Sequence, residues 1–252
     1  ATGNTILGRR AFESILAAKT TTLRCQREQG SWQGTTISVV DTPGMFDHDD
    51  YTEMVRREIL PCIQLSRPGP HALILVTQMG CFTGEDAAAA QCVRDIFGPE
   101  STRHTIILFT CAEDYLQEYV RYSDNWNLRD LIRRCGNRFC GFNNEAAGAE
   151  RERQVSELMA MVQRTVFQND GRYYVNRLYL EPNLRDEHVQ GFIAQNRKAS
   201  RSIIDILLLC FLPFWFIFYV GRWALSCLKN VVVMAFSSLR RGLVTAFRYF
   251  FR

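Results

Sequence analysis

The residues with the most chemical promise directly follow a short apolar run: Asp41-Thr42-Pro43-Gly44 comes straight after residues 35–40. A carboxylate at the end of a buried strand can hold a magnesium-bound water, and a glycine close behind it presents a backbone N–H to a terminal phosphate with no side chain in the way. Asp-x-Pro-Gly is also ordinary turn chemistry, because proline and glycine supply the dihedral angles of a tight turn. Other reactive residue types are scattered. His48, His71, His104 and His188 share no ligand spacing and are expected to be structural or solvated, and Ser66, Ser101 and Ser123 lie in no nucleophile-elbow context. The nine cysteines include no Cys-x-x-Cys pair with a matching partner, which argues against a disulfide framework or a zinc site; reduced, cytosol-facing thiols are expected. Asp47-His48-Asp49-Asp50 has the charge to bind a cation but reads better as a solvated loop.

The elements that must position these residues alternate. Runs rich in β-branched residues at 35–40, 71–77 and 104–110 predict buried strands. A helix is predicted over 83–97, with Thr83 as its N-cap, Asp86 completing a capping box, and Gly98-Pro99 as its stop. Further helices are predicted over 125–135 and 145–168, the second with Val155, Leu158, Met159, Val162 and Val166 on its apolar side. Strands alternating with helices imply an α/β fold with a parallel sheet, whose ligands bind at the carboxyl ends of the strands.

Bulk properties bound the domain count. A chain of 252 residues, 47% hydrophobic, can bury one substantial core with a tail left over. The division expected is a main domain at 1–181, a polar linker or short amphipathic helix at 182–202, a transmembrane helix at 203–220 and a basic amphipathic or second hydrophobic segment at 221–252. The run IIDILLLCFLPFWFIFYV at 203–220 holds a single acid, Asp205, and is close to the minimum that spans a bilayer. Basic residues flank it, and Trp215, Tyr219 and Trp223 sit near its far end, as interfacial anchors do. Beyond Val220 come Arg222, Lys229, Arg240, Arg241, Arg248 and Arg252 with no acid, leaving the rest of the chain slightly acidic. That distribution argues for a lipid bilayer and against nucleic acid as a partner. The chain opens without Met, and residues 1–7 look like the inside of a helix, so it is expected to begin mid-domain.

Five segments in order then carry a resemblance. Ala1-Thr2-Gly3-Asn4-Thr5-Ile6-Leu7-Gly8, Asp41-Thr42-Pro43-Gly44, the runs 69–77 and 103–110, and Asn137-Arg138-Phe139-Cys140-Gly141-Phe142-Asn143-Asn144 resemble the immunity-associated, AIG1-type GTPase family over roughly residues 1–170. The resemblance implies a P-loop GTPase-like α/β fold (TRAFAC class, septin- and Toc-related), a parallel-rich sheet flanked by helices, with the first strand and the P-loop absent and a C-terminal hydrophobic anchor. It implies GTP or GDP with Mg²⁺ as ligands. Ala1 would donate its N–H near the α-phosphate and Ser14 would lie beside the nucleotide. Thr22 would be the switch threonine, holding Mg²⁺ together with Asp41, and Asp41 and Gly44 would form the second switch. Glu113 and Asp114 would accept from the guanine edge, with Asn143 or Asn144 completing base recognition.

Two departures from the family pattern qualify these expectations. Cys111-Ala112 stand where the family has a basic residue and then Lys, so the stem that would cover the base is missing. Met45 and Phe46 follow Gly44 where a water-orienting Gln would be needed, so at most slow hydrolysis is expected. The resemblance further implies a GTP-dependent switch or scaffold that forms homo- or hetero-oligomers through its G domain on a cytosolic membrane face, with a role in lymphocyte survival. The alternative is a nucleotide-free, membrane-anchored interaction protein.

Overall fold

The computed structural model describes residues 1–14, 24–43, 55–112 and 115–200. Short helix α1 (Thr2–Leu7) comes first. Strands β1 (Gln26–Trp32) and β2 (Thr35–Asp41) then form an antiparallel hairpin. Its connection is Gln33-Gly34, with φ of 47° and 78°; a two-residue turn with both dihedrals positive matches the right-handed twist of the strands it joins. Strands β3 (Leu73–Gln78), β4 (Thr105–Thr110) and β5 (Phe139–Phe142) form a parallel sheet in the order β3-β4-β5. The described strands therefore fall into two sheets, the antiparallel pair β1-β2 and the parallel β3-β4-β5.

The crossovers are helical, as a parallel sheet requires. Helix α2 (Leu60–Leu65) continues a π-helical turn at Val55–Ile59. Helix α3 (Gly84–Phe97) starts at the expected capping box: the Thr83 side chain accepts from the Glu85 N–H, and Asp86 accepts from the Thr83 N–H at 2.9 Å. Helices α4 (Leu116–Tyr122) and α5 (Trp126–Arg134) follow β4, and the Asn125 side chain caps α5. Helix α6 (Gly148–Gln168) follows β5, and α7 (Arg177–Leu180) leads to α8, which occupies 186–200.

Strand β4 organises the core. Because successive side chains of a strand point to opposite faces, Ile107 and Phe109 join one cluster with Leu116, Leu128 and Ile132, while Ile106 and Leu108 join another with Phe142, Val155 and Leu158. A third cluster gathers Val55, Ile59, Ile63, Ile96, Tyr174, Leu178, Val189 and Ile193. The buried line of α6 runs through Gln154, Val155, Leu158, Met161 and Thr165. Met159 and Val162, expected on that face, pack at its margin, half-buried.

Segment 182–202 takes the helical alternative through residue 200, and Val189 and Ile193 are fully buried in the third cluster. The Arg197 guanidinium meets the Asp95 carboxylate at 3.0 Å, and the Asn196 side chain donates to the Asp95 carbonyl at 2.8 Å, fastening α8 to α3. The compact unit thus runs from Ala1 to Arg197, beyond the boundary expected at 181. Among the described residues no helix is long and apolar enough to cross a membrane; the segments expected to do so or to lie along it, 203–220 and 221–252, fall outside them.

Candidate functional site

The register of the parallel sheet sets where its strands stop. Gln78 of β3 lies opposite Thr110 of β4, and Thr110 lies opposite Phe142 of β5, so the chain leaves all three strands along one carboxyl edge. Residues 111–112 and 143–144 therefore emerge side by side. The Ala112 N–H donates to the Phe142 carbonyl at 3.4 Å, and Gly141 permits the approach, since a Cβ there would lie 2.6 Å from the Ala112 methyl. Cys111 adopts a positive φ of 52° as the chain turns out of β4.

The loop after β5 is held from two directions. The Asn143 N–H donates to the side-chain oxygen of Gln154 on α6 at 3.0 Å, and the Asn143 side-chain oxygen accepts from the Glu145 N–H at 2.9 Å. Asn144 turns the other way. Its side-chain oxygen accepts from the Thr5 hydroxyl at 2.8 Å and its amide nitrogen donates to the Thr2 hydroxyl at 3.2 Å, both on α1. Thr2 and Thr5 are three residues apart and so share a face of that helix. Thr5 is buried, and this bond supplies the partner a buried hydroxyl requires.

Helix α1 is fixed also through Asn4, whose side-chain oxygen accepts from the Ala11 and Phe12 N–H groups at 2.8 and 2.7 Å. Phe12 is buried and folds over Gly3, where a Cβ would come within 2.7 Å of the ring. Ala1 is exposed at the N-cap position and Ser14 is half-buried just past Phe12. Asp41 closes β2, half-buried, in register with Gln26.

One further carboxylate sits at the carboxyl edge of the sheet. Asp86 accepts from the Thr77 hydroxyl at 3.0 Å near the end of β3. Burial pushes its carboxyl group up, but the Thr83 N–H, the Thr83 hydroxyl and the Thr77 hydroxyl outweigh burial and hold it below the ordinary carboxylate range. Asp86 is thereby occupied in joining α3 to β3.

The structure brings Thr2 and Thr5 against Asn144, joining two segments that sequence expectations assigned to opposite ends of one ligand. Asp41 belongs to the separate hairpin ladder. Thr22, Gly44, Glu113 and Asp114 lie outside the described residues, as do His48 and the acids around it. His104 is buried with its ring facing the His71 carbonyl, and burial lowers its pKa; His188 accepts from the Arg185 N–H. No group of three or more His, Cys, Asp or Glu with metal-holding potential occurs among the described residues. Sequence reasoning missed Thr2, Thr5 and Gln154. Gln154 left a signal, an amide on the apolar line of α6; the two threonines left none.

Comparison with known proteins gives a consistent picture. The AIG1 family profile matches residues 1–192. GTPase IMAP family member 8 of Homo sapiens is 38% identical over 181 residues, covering 70% of this chain and 27% of the relative. Immune-associated nucleotide-binding protein 9 of Arabidopsis thaliana is 32% identical over 224 residues, covering 82% of this chain and 66% of the relative. This chain spans about a quarter of the length of the mammalian relatives, the rat form of member 8 being matched over 26% of its own length. Among solved structures, a dimerization-deficient mutant of Toc33 from Arabidopsis thaliana shares 16% identity at a TM-score of 0.49, over 68% of this chain and 80% of that one.

Proposed function

The chain belongs to the AIG1 family, and on that premise we propose that it is part of a guanine-nucleotide-binding domain that acts as a membrane-anchored switch or scaffold. The observation that carries the proposal is the junction of Asn144 with Thr2 and Thr5, which sets the first turn of α1 beside the loop after β5. A nucleotide needs its phosphates and its base held at two such places at once. The carboxyl edge of a parallel sheet is where α/β proteins bind ligands of this kind.

In this reading Ala1 contacts the α-phosphate and Ser14 flanks the nucleotide. Glu113, Asp114 and an Asn of the 143–144 pair read guanine, whose N–H donors suit a carboxylate partner. Thr22, Asp41 and Gly44 sense the γ-phosphate, Thr22 and Asp41 through Mg²⁺. Ordering of those segments by GTP is the lever that exposes a surface for pairing with further copies or related domains. Residues 203–252 hold the assembly to a bilayer with the domain on the cytosolic side, and a role in lymphocyte survival follows the family. Hydrolysis is slow, because Met45 and Phe46 cannot orient a water.

A second reading rests on Ala112, which packs a methyl group against Gly141 where the family pattern places a Lys stem. That change favours a nucleotide-free interaction protein. Calorimetry with Mg²⁺ separates the two, using residues 1–197 and the same segment preceded by a strand and a Gly-x-x-x-x-Gly-Lys-Ser loop. Binding of GDP and GTP but not ATP by the extended form supports the first reading. Two folded proteins that bind neither would replace it with the second.

A further inference from the structure

The Asn144 side chain does more than one residue of a base loop needs to do. Its two functional atoms are both engaged by α1, at 2.8 and 3.2 Å, across 139 and 142 residues of sequence. Neighbouring Asn143 makes only local side-chain contact, capping the Glu145 N–H, and stands exposed. The loop itself is anchored through the Asn143 backbone to Gln154, a buried side chain of α6. Asn144 is thus the link between two parts that are each fixed independently: α1, tied by Asn4 and Phe12, and the loop, tied by Gln154.

We propose that Asn144 is a positioning residue that couples the first turn of α1 to the loop after β5, so that ordering one end of the site orders the other. The coupling rests on the nucleotide reading for its purpose, though not for its existence. A side chain that bridges two threonines on one helix face cannot shift with the loop unless the helix moves or both bonds break. A ligand that holds the phosphate end would therefore lower the ordering cost at the base end, which is positive coupling between the two halves of one site. Asn143, exposed at the surface, is left as the member of the pair able to face a ligand.

The test is hydrogen exchange on the full chain, without nucleotide and then with GDP and Mg²⁺. Asn144→Ala is expected to raise exchange about tenfold both in residues 2–8 and in residues 143–147, the equivalent of losing one or two ordinary hydrogen bonds. Asn143→Ala should raise it in the loop alone. Asn144→Asp should restore protection, because a carboxylate can accept from both threonine hydroxyls. Where nucleotide binds, Asn144→Ala should also flatten the preference for GDP over IDP, which mere loss of stability would leave unchanged. If Asn144→Ala does not fold, Thr5→Val removes the shorter bond with little change of shape and should loosen the loop from α1's side. Unchanged exchange in residues 2–8 of Asn144→Ala, or in residues 143–147 of Thr5→Val, overturns the coupling. If neither this chain nor the form extended by the strand and Gly-x-x-x-x-Gly-Lys-Ser loop binds GDP while the exchange pattern holds, the nucleotide reading fails and the link stands.

Discussion

Strands β2 and β4 are built from similar residues, TTISVVD and TIILFT, and come to occupy opposite circumstances. In β4 the first five residues are buried, because β3 and β5 flank it and helices cover both faces. In β2 none is fully buried; Thr35, Thr36 and Ser38 are exposed, and β1 is the partner it pairs with. A β-branched sequence therefore states a willingness to be extended, and its neighbours decide how much that extension stabilises.

The comparison makes predictions of decreasing size. Phe109→Ala in β4 should cost about 3–5 kcal/mol in urea unfolding, through lost transfer energy and the cavity left among Leu116, Leu128 and Ile132. Ile37→Ala in half-buried β2 should cost less than half as much, and equal losses would break the contrast. Next comes the link of α3 to the parallel sheet. Thr83→Ala should cost about 1 kcal/mol as a lost cap. Asp86→Ala should destabilise at neutral pH, with a sign that acid reveals. Because the folded-state pKa of Asp86 is depressed, its contribution is fully present above the unfolded value of about 3.9 and is lost as pH falls through the folded value. The melting-temperature difference between wild type and Asp86→Ala should accordingly shrink below about pH 4. Smallest of all is the hairpin's ion pair, Arg9 with Glu28 at 2.8 Å, half-exposed on the arginine side. Arg9→Ala should change stability by no more than about 1 kcal/mol, and less in high salt.

The same contrast explains what could be read in advance. Strands β2, β3 and β4 and helix α3 were legible because their signals are local: apolar runs, a capping box, a glycine stop. Strand β1, QREQGSW, was not, since its residues are polar and it is held by backbone pairing to β2; Gln33-Gly34 is a weaker hairpin signal than Asn-Gly. Strand β5, at four residues, was hidden inside a stretch read as a loop. Helix α2 and the π-helical turn before it went unread, and Val189 and Ile193 were too widely spaced among charges to mark 186–200 as a core helix. In the site, Asn143 and Asn144 were marked only as part of a loop motif. The bonds of Asn144 were not legible, because they depend on Thr2 and Thr5 at the far end of the sequence.

The burial of Val189 and Ile193 also has a meaning in time. A ribosome finishes β5 at Phe142, yet the cluster holding Val55, Ile59 and Ile63 stays without its cover until Tyr174, Leu178, Val189 and Ile193 have been made. For the interval between, the nascent chain has the residues of β3, β4 and β5 but not the cover of that apolar surface, the condition in which chaperones engage emerging chains. The last helix of the folded unit is thus the one that closes it, and the hydrophobic residues from 203 onward leave the ribosome only after that closure has become possible.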